Sequence, residues 1–349
     1  MLLVLAMPAV AQRFEWGADA RIVLDNREGS DRYTATRTTL QSQLAAEVGV
    51  SFIDGQHRLM AGGVWTQPFV NNFKEGRLAP TIYYRYSSPK LSGSLGLLPR
   101  AQLLRKPASF VWSDSINYAD ANIRGFLVQY QGTTGFGELW LDWRGMQSRE
   151  RREAFAVVGQ GEWRFAGPWL IGGTALLNHF ATTQPHDASQ GVCENYILNP
   201  VVGVELGSYV PLDSLSVRVG CLASFSRDRS VQVRRNAVGA WLDVAAQWRW
   251  LSLKNTLYAG GRPFPFYGKY GSLYNEGEPY YAAKFYNRTT ISADIVRNQV
   301  INLRASIDLN AASHAFTWYQ RVTLRVAFDS GKWRSRSGIK GKPYLINRY

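Results

Sequence analysis

The sequence predicts an all-β protein: a closed, antiparallel, up-and-down transmembrane β-barrel of about 16 strands (14–18). Three observations carry the prediction. Apolar and polar residues alternate with period two in about sixteen segments, most of them 9–14 residues long. A tilted strand needs about 9–11 residues to cross a bilayer. The links between segments alternate long and short, the habit of barrels with turns at one end and loops at the other. Finally, no run approaches the ~18 apolar residues of a spanning helix, although 46% of the 349 residues are hydrophobic. Mean hydropathy is −0.22, because each strand carries a polar face beside its apolar one.

The chain opens on residues 1–11, which read as a signal peptide. Leu2–Met7 is a short apolar core, and Ala9 and Ala11 stand at the positions a signal peptidase reads. No Lys or Arg precedes that core, which departs from the pattern. No Cys follows it, which argues against a lipid anchor.

The barrel is expected over residues 12–328. Segment 13–25 sets Phe14, Trp16, Ala18, Ala20, Ile22 and Leu24 against Glu15, Asp19 and Arg21, since successive strand side chains face opposite sides. A polar link leads to 38–53, which carries Glu47, and Asp54-Gly55 turns the chain into 56–66. After link 67–78, segments 79–88 and 90–98 bring Arg85 to the polar face. Link 99–120 is the longest of the first half and holds Arg100, Arg105, Lys106, Asp114 and Asp120. It is the candidate for a loop folded inward as a constriction, an exposed loop being the alternative. Segments 121–131 and 135–145 contribute Glu138, Asp142 and Arg144, and 153–165 contributes Glu162 and Arg164. Ala166-Gly167-Pro168 turns into 168–180, and link 181–194 leads to 195–209 with Glu205.

Segment 213–226 sets Leu215, Val217, Val219, Cys221, Ala223 and Phe225 against Ser216, Arg218 and Ser224. Segment 236–250 sets Val238, Leu242, Val244 and Trp248 against Asp243, Gln247 and Arg249. Lys254 falls in 251–260, and Lys284 and Arg288 in 280–292. Segment 299–309 sets Ile301, Leu303 and Ile307 against Arg304 and Asp308, and 316–328 carries Arg321 and Arg325. The remaining tail, 329–349, has Lys332, Arg334, Arg336, Lys340, Lys342 and Arg348 and no acid after Asp329. It is periplasmic or contributes a last strand.

Aromatic residues recur near segment ends: Trp16, Trp65, Trp143, Trp163, Trp169, Trp248, Trp250, Tyr258, Tyr280, Tyr281 and Trp318. That recurrence matches paired interfacial girdles better than a soluble sandwich. No fixed-period repeat of the propeller kind is present. An open sheet in hydrocarbon would leave edge N–H and C=O groups unpaired at several kcal/mol each, so the strands must close.

The stretches Ser113-Asp114-Ser115-Ile116-Asn117-Tyr118, Leu139-Trp140-Leu141-Asp142-Trp143 and Leu177-Asn178-His179-Phe180, set in this alternation, resemble Gram-negative outer-membrane β-barrels of the porin-like kind. The nearest likeness is to uncharacterised barrels of Bacteroidota. The resemblance is architectural, so it implies a location in the outer membrane among lipid and lipopolysaccharide, and no site residue.

Function follows from where the charges go. A charge on the lipid face near mid-membrane costs ~2–4 kcal/mol, so the charged faces point into the lumen. The lumen is then lined by Arg21, Arg85, Arg144, Arg164, Arg218, Arg249, Lys254, Lys284, Arg288, Arg304, Arg321 and Arg325, with Glu15, Asp19, Glu47, Glu138, Asp142, Glu162, Glu205, Asp243 and Asp308 among them. The basic excess and the net charge of +14 suit small polar or anionic solutes. Export argues against nucleic acid. The expected role is passive diffusion through a porin-like channel. Alternatives are a non-conducting subunit or receptor of an envelope complex, a homo-oligomer among them, and a barrel hydrolase acting on lipid. The residues favour no enzyme: His179 has the height for a rim hydrolase but no nucleophile motif beside it. No cofactor or metal is expected, since His179, His186, Asp187 and Cys193 match no ligand spacing. Arg149, Arg151 and Arg152, with Arg227, Arg229, Arg234 and Arg235, form outward patches suited to glycolipid phosphate. Cys193 and Cys221 are not expected to pair, because antiparallel register holds them too far apart.

Overall fold

Strands that are greasy on one side and charged on the other can satisfy hydrocarbon and each other only by closing. In a computed structural model they do so: sixteen antiparallel strands form one barrel, each paired with its sequence neighbours and the last with the first. The structure describes residues 12–329 apart from 30–32, 71, 188 and 299. The signal-peptide reading and the basic tail lie outside the described residues.

The strands are β1 (Arg13–Glu28), β2 (Arg37–Phe52), β3 (His57–Pro68), β4 (Arg77–Ser87), β5 (Leu91–Pro99), β6 (Asn122–Gln131), β7 (Gly135–Gly145) and β8 (Ala154–Ala166). They continue as β9 (Trp169–Phe180), β10 (Cys193–Glu205), β11 (Ser214–Asp228), β12 (Val233–Trp248), β13 (Leu251–Gly260), β14 (Phe285–Arg297), β15 (Ile301–Ala312) and β16 (Ala315–Asp329). Closure runs from Gly17 opposite Asp329 to Glu28 opposite Trp318.

The barrel inverts a soluble core. On β1, Phe14, Trp16, Ile22 and Leu24 are exposed while Glu15, Asp19, Arg21 and Asp25 are buried. Trp163, Trp169, Trp248 and Trp250 are exposed at the short-turn end, and Trp143 and Trp318 near the other. Tyr258, Tyr280 and Tyr281 leave the expected girdle; all three are buried inside. The turn after β2 is tight because Ile53, Asp54 and Gly55 all take positive φ. The longest links gather at the opposite end, although β11 and β12 are joined there by residues 229–232 alone, shorter than the link 227–235 expected, and β15 and β16 by Ser313-His314.

Two expected lumen residues move. Arg249 sits at φ +52 in the two-residue turn closed by the Trp248–Leu251 pair, exposed rather than in the wall. Lys284 precedes β14, which starts five residues later than the alternation suggested, and is exposed at its loop end. Tyr280 and Tyr281 are drawn inward instead: Tyr280 stacks on Tyr286 at 5.0 Å, and Tyr281 meets Phe110 edge-on at 6.0 Å. Cys193 opens β10 rather than lying in a loop. Cys193 is buried and Cys221 exposed, and both are free thiols.

The links 100–121 and 261–284 fold into the barrel. Phe110, Val111, Phe264, Tyr274, Tyr280 and Tyr281 are buried there. Backbone bonds clip the two links together, Ser113 N to Glu276 O at 2.7 Å and Glu278 N to Ser109 O at 2.7 Å. The outer half of the lumen is therefore packed with protein.

Candidate functional site

The inward charges are largely paired to one another. Arg58 donates to Glu15 at 3.0 Å, Tyr83 to Glu47 at 2.9 Å, and Arg325 binds Asp19. Arg21 bonds Gln43, and Arg85 reaches Ser94 at 2.9 Å and Gln102 at 2.8 Å. Glu138 caps the backbone of the inward link, accepting from Leu104 N at 2.9 Å and Arg105 N at 3.2 Å. Arg100 is buried against Asp142 at 2.7 Å, with Asp120 and Glu276 each at 3.6 Å, and lies 4.2 Å over the Trp112 ring. Arg144 donates to the Ser272 carbonyl at 3.3 Å. Burial lifts the Glu276 carboxyl above its ordinary range, against the pull of Arg100 and Arg144.

A central knot ties wall to plug. Asp114 meets Arg288, Arg321 at 3.2 Å and Lys106 at 3.0 Å, while Asp308 meets Arg288 at 3.0 Å and Arg321 at 3.4 Å. Below it lies a cavity of about 1180 Å³, roofed by Arg105, Lys106 and Asp114 and bordered by turn residues Pro168, Tyr209 and Asn298. It faces the short-turn end. Arg218 pairs there with Glu162 and with Glu205 at 3.2 Å, Arg164 with Glu205, Lys254 with Asp243 at 3.3 Å, and Arg304 with Asp294 at 2.6 Å. Sequence reading missed Asp25, Arg58, Asp294, Glu276 and Glu278. Asp25 and Arg58 already lie on the polar parity of the segments 13–25 and 56–66, and Asp294 continues that of β14 beyond 280–292. The two loop acids carry no periodic signal.

The outer wall holds a second arrangement. Residues opposite one another in neighbouring strands share a face. Ile82 opposes Leu97, and Leu97 opposes Arg124. Arg124 donates to the Trp143 carbonyl at 3.1 Å. Trp143 opposes Phe155, Phe155 opposes His179, and His179 opposes Glu194. Glu194 opposes Arg227, and Arg227 opposes Arg234. One row thus crosses β4 to β12 on the bilayer side. It reads apolar, guanidinium, aromatic, imidazole, carboxylate, guanidinium.

His179 is the last outward residue of β9, near the long-loop end. Its ring stacks on Phe155 at 4.8 Å, which stacks on Trp143 at 5.2 Å. Its Nδ1 lies 3.8 Å from a Glu194 oxygen, and Arg229 bonds the same carboxylate at 3.1 Å. Among the described residues no hydroxyl or thiol is bonded to His179. The structure does not bring His186, Asp187 and Cys193 to it: Asp187 bonds Ser189 in the loop, and Cys193 is buried on the inner face. Among the described residues no three His, Cys, Asp or Glu side chains converge as metal ligands.

A family described as lipid A 3'-O-deacylase-type matches residues 8–333. The chain belongs to this family. That corrects the expectation of a barrel that is not an enzyme: the deacylase-type family is an enzyme family. No nucleophile motif flanks a histidine in the sequence, because the row around His179 is assembled from separate strands. No curated protein matches this deacylase-type chain. Its fold is similar to Pseudomonas aeruginosa OpdL, with a TM-score of 0.57, 9% identity, and 91% of this chain and 99% of that one covered. It is also similar to the outer membrane protein OprD of the same organism, with a TM-score of 0.53, 10% identity, and coverage of 90% and 94%. These likenesses establish a porin-like β-barrel fold for the deacylase-type chain.

Proposed function

We propose that this barrel hydrolyses an acyl ester of a phosphorylated lipid lying against its outer wall, in the leaflet on the long-loop side of a Gram-negative outer membrane. One observation carries the reading: in a chain of deacylase-type family, an imidazole beside a carboxylate faces the bilayer in the same row as Arg227 and Arg234, which pair with no carboxylate among the described residues. Glu194 lies 3.8 Å from Nδ1 of His179, close enough to attract the ring once it is protonated, and Nε2 is assigned as the base. Nε2 takes a proton from a water as that water's oxygen attacks the ester carbonyl. The carbonyl carbon–alkoxide oxygen bond then breaks, and the imidazolium returns the proton to the leaving alkoxide. The products are a free fatty acid and the lipid alcohol. Glu194 stabilises the imidazolium and fixes its orientation, as a carboxylate does in hydrolytic triads. Arg227 and Arg234 suit a lipid phosphate, which arginine binds in a bidentate manner. The test is fatty-acid release from lipid A in mixed micelles. Release by the wild type that disappears in His179→Ala is expected; no release, or release indifferent to the substitution, overturns the reading.

A second reading, passage of small polar or anionic solutes, is favoured by the cavity at the short-turn end. Eleven basic side chains line it against five acidic ones. The packed loops above it oppose this reading, and conductance in a planar bilayer decides it.

A further inference from the structure

Away from His179, the bilayer side of the barrel carries a polar island. Exposed Leu253, Phe285 and Ile291 mark the outward parity of β13 and β14. Asn255 shares that parity on β13, and Asn287 and Thr289 share it on β14, with Asn255 directly opposite Thr289. All three are half-buried. Apolar residues surround them: Leu253 and Leu257 along β13, Val244 opposite Asn255 on β12, and Leu309 opposite Thr289 on β15. The three side chains satisfy one another only in part. Asn255 Nδ2 donates to Thr289 Oγ1 at 2.8 Å and to Asn287 Oδ1 at 3.4 Å, and Asn287 Nδ2 donates to Asn255 Oδ1 at 3.3 Å. A carboxamide has two N–H groups and two lone pairs on its oxygen. One N–H of Asn287 and the hydroxyl proton of Thr289 therefore meet no acceptor among the described residues, while lone pairs remain on both amide oxygens. Hydrocarbon offers no hydrogen bond, so such groups are costly until something in the bilayer pairs with them.

We propose that this face of β13–β15 is the interface with a second copy of the barrel. An acyl chain has no group to offer the amides. An island that holds donors and acceptors together is its own complement: two copies inserted in the same direction, related by a two-fold axis along the membrane normal, bring the same amides to the same depth. The face is also uncharged. Between Leu251 and Ala259, between Phe285 and Ala293, and between Ile301 and Ala311, the outward parity holds no charged side chain. Chains of net charge +14 therefore meet there with less repulsion than along the row from Glu194 to Arg234. Small outward residues, Ala259, Ala293, Ala305 and Ala311, flank the amides and let two walls approach closely. Pairing through β13–β15 leaves the His179 end of the row facing lipid, so the interface stands or falls independently of the hydrolase reading.

Cross-linking in membranes tests where the copies meet. In a Cys221→Ser background, which removes the exposed thiol, Leu257→Cys places a thiol beside the island, and Val128→Cys places one on the outward face of β6, on the far side of the barrel. A short bismaleimide is expected to link copies through the first position and little through the second. Native mass spectrometry of the detergent-released barrel then reads dimer against monomer. Asn255→Leu and Asn287→Leu should each raise the dimer dissociation constant about tenfold, the effect of one or two hydrogen bonds lost between membrane segments. Ser42→Leu, a polar-to-apolar change on the outward parity of β2, should leave it unchanged. Leucine suits a lipid-facing position, and heat-modifiable gel migration shows whether each variant has folded; Asn255→Ala and Asn287→Ala replace any that has not. A wild type that stays monomeric at every protein density, equal linking at the two cysteines, or a dimer indifferent to both asparagine substitutions overturns the interface.

Discussion

His179 and Glu194 illustrate how little a residue's identity says before its neighbours are known. Along β9 the histidine follows Ile171, Ala175 and Leu177 on the bilayer side, where an ionisable ring is costly unless partnered. The partner is supplied by β10 and steadied by Arg229 in the link between β11 and β12. If the ring acts as general base, His179→Ala should lower kcat for fatty-acid release by about 10²–10⁴-fold. Glu194→Gln should lower kcat with little change in KM, because it touches the ring and not the lipid. A matching rise in KM alone in both variants would make them binding residues instead. Inside the barrel the residue-scale expectation concerns stability. Arg58→Ala leaves Glu15 buried beside a lost partner, a change that costs about 3–5 kcal/mol when a buried pair is broken. Urea unfolding in detergent, followed by loss of the heat-resistant band, measures it; an unchanged midpoint would mean that water replaces the guanidinium.

Strands were more legible than links, for a physical reason. A strand in a bilayer must keep its parity for its whole length, so Leu215 to Phe225 or Ile301 to Leu309 announce themselves by alternation alone. Links obey no period. Tyr280 and Tyr281 extend an alternating run into β14, yet they fold inward because Tyr286, Phe110 and Tyr258 offer rings to pack on. Link 99–120 had two open readings for the same reason: its charges fit solvent as well as a lumen, and only the facing acids decide. The clip between the links 100–121 and 261–284 depends on close backbone approach at Gly277, where an added Cβ would stand 2.4 Å from Phe110 O. Gly277→Ala should therefore part the two links without touching the strands. Amide hydrogen exchange at 109–114 and 274–278 is expected to rise several-fold while the strands keep their protection. Equal exchange in both proteins would show that the links are held by their rings alone.

At the scale of the whole barrel, strand number and closure leave two ways to use the interior, and packing chooses between them. A sixteen-stranded wall encloses an aqueous lumen unless something fills it. Here Arg100, Asp114 and Glu278 carry buried charge on the links to meet buried charge on the wall, at Asp142, Arg288 and Arg321, while Glu276 pairs with Arg100 across the two links. Breaking that set exposes several unpaired ions at once, so spontaneous opening is costly. The alternating charged parity was visible in the sequence and was read as a channel lining, because alternation reports only which way a side chain points. The links that consume those charges come from elsewhere in the chain. The wild type is therefore expected to pass almost no current in a planar bilayer at any voltage. Deleting residues 105–116 removes Lys106, Phe110 and Asp114 and joins the cavity to the outer mouth. That variant should conduct, and the excess of basic side chains around the cavity should give a reversal potential of the anion-preferring sign in a salt gradient. Steady wild-type current would make the links a gate instead of a plug. A cation-preferring deletion variant would mean that the arginines stay fully paired when the roof is gone.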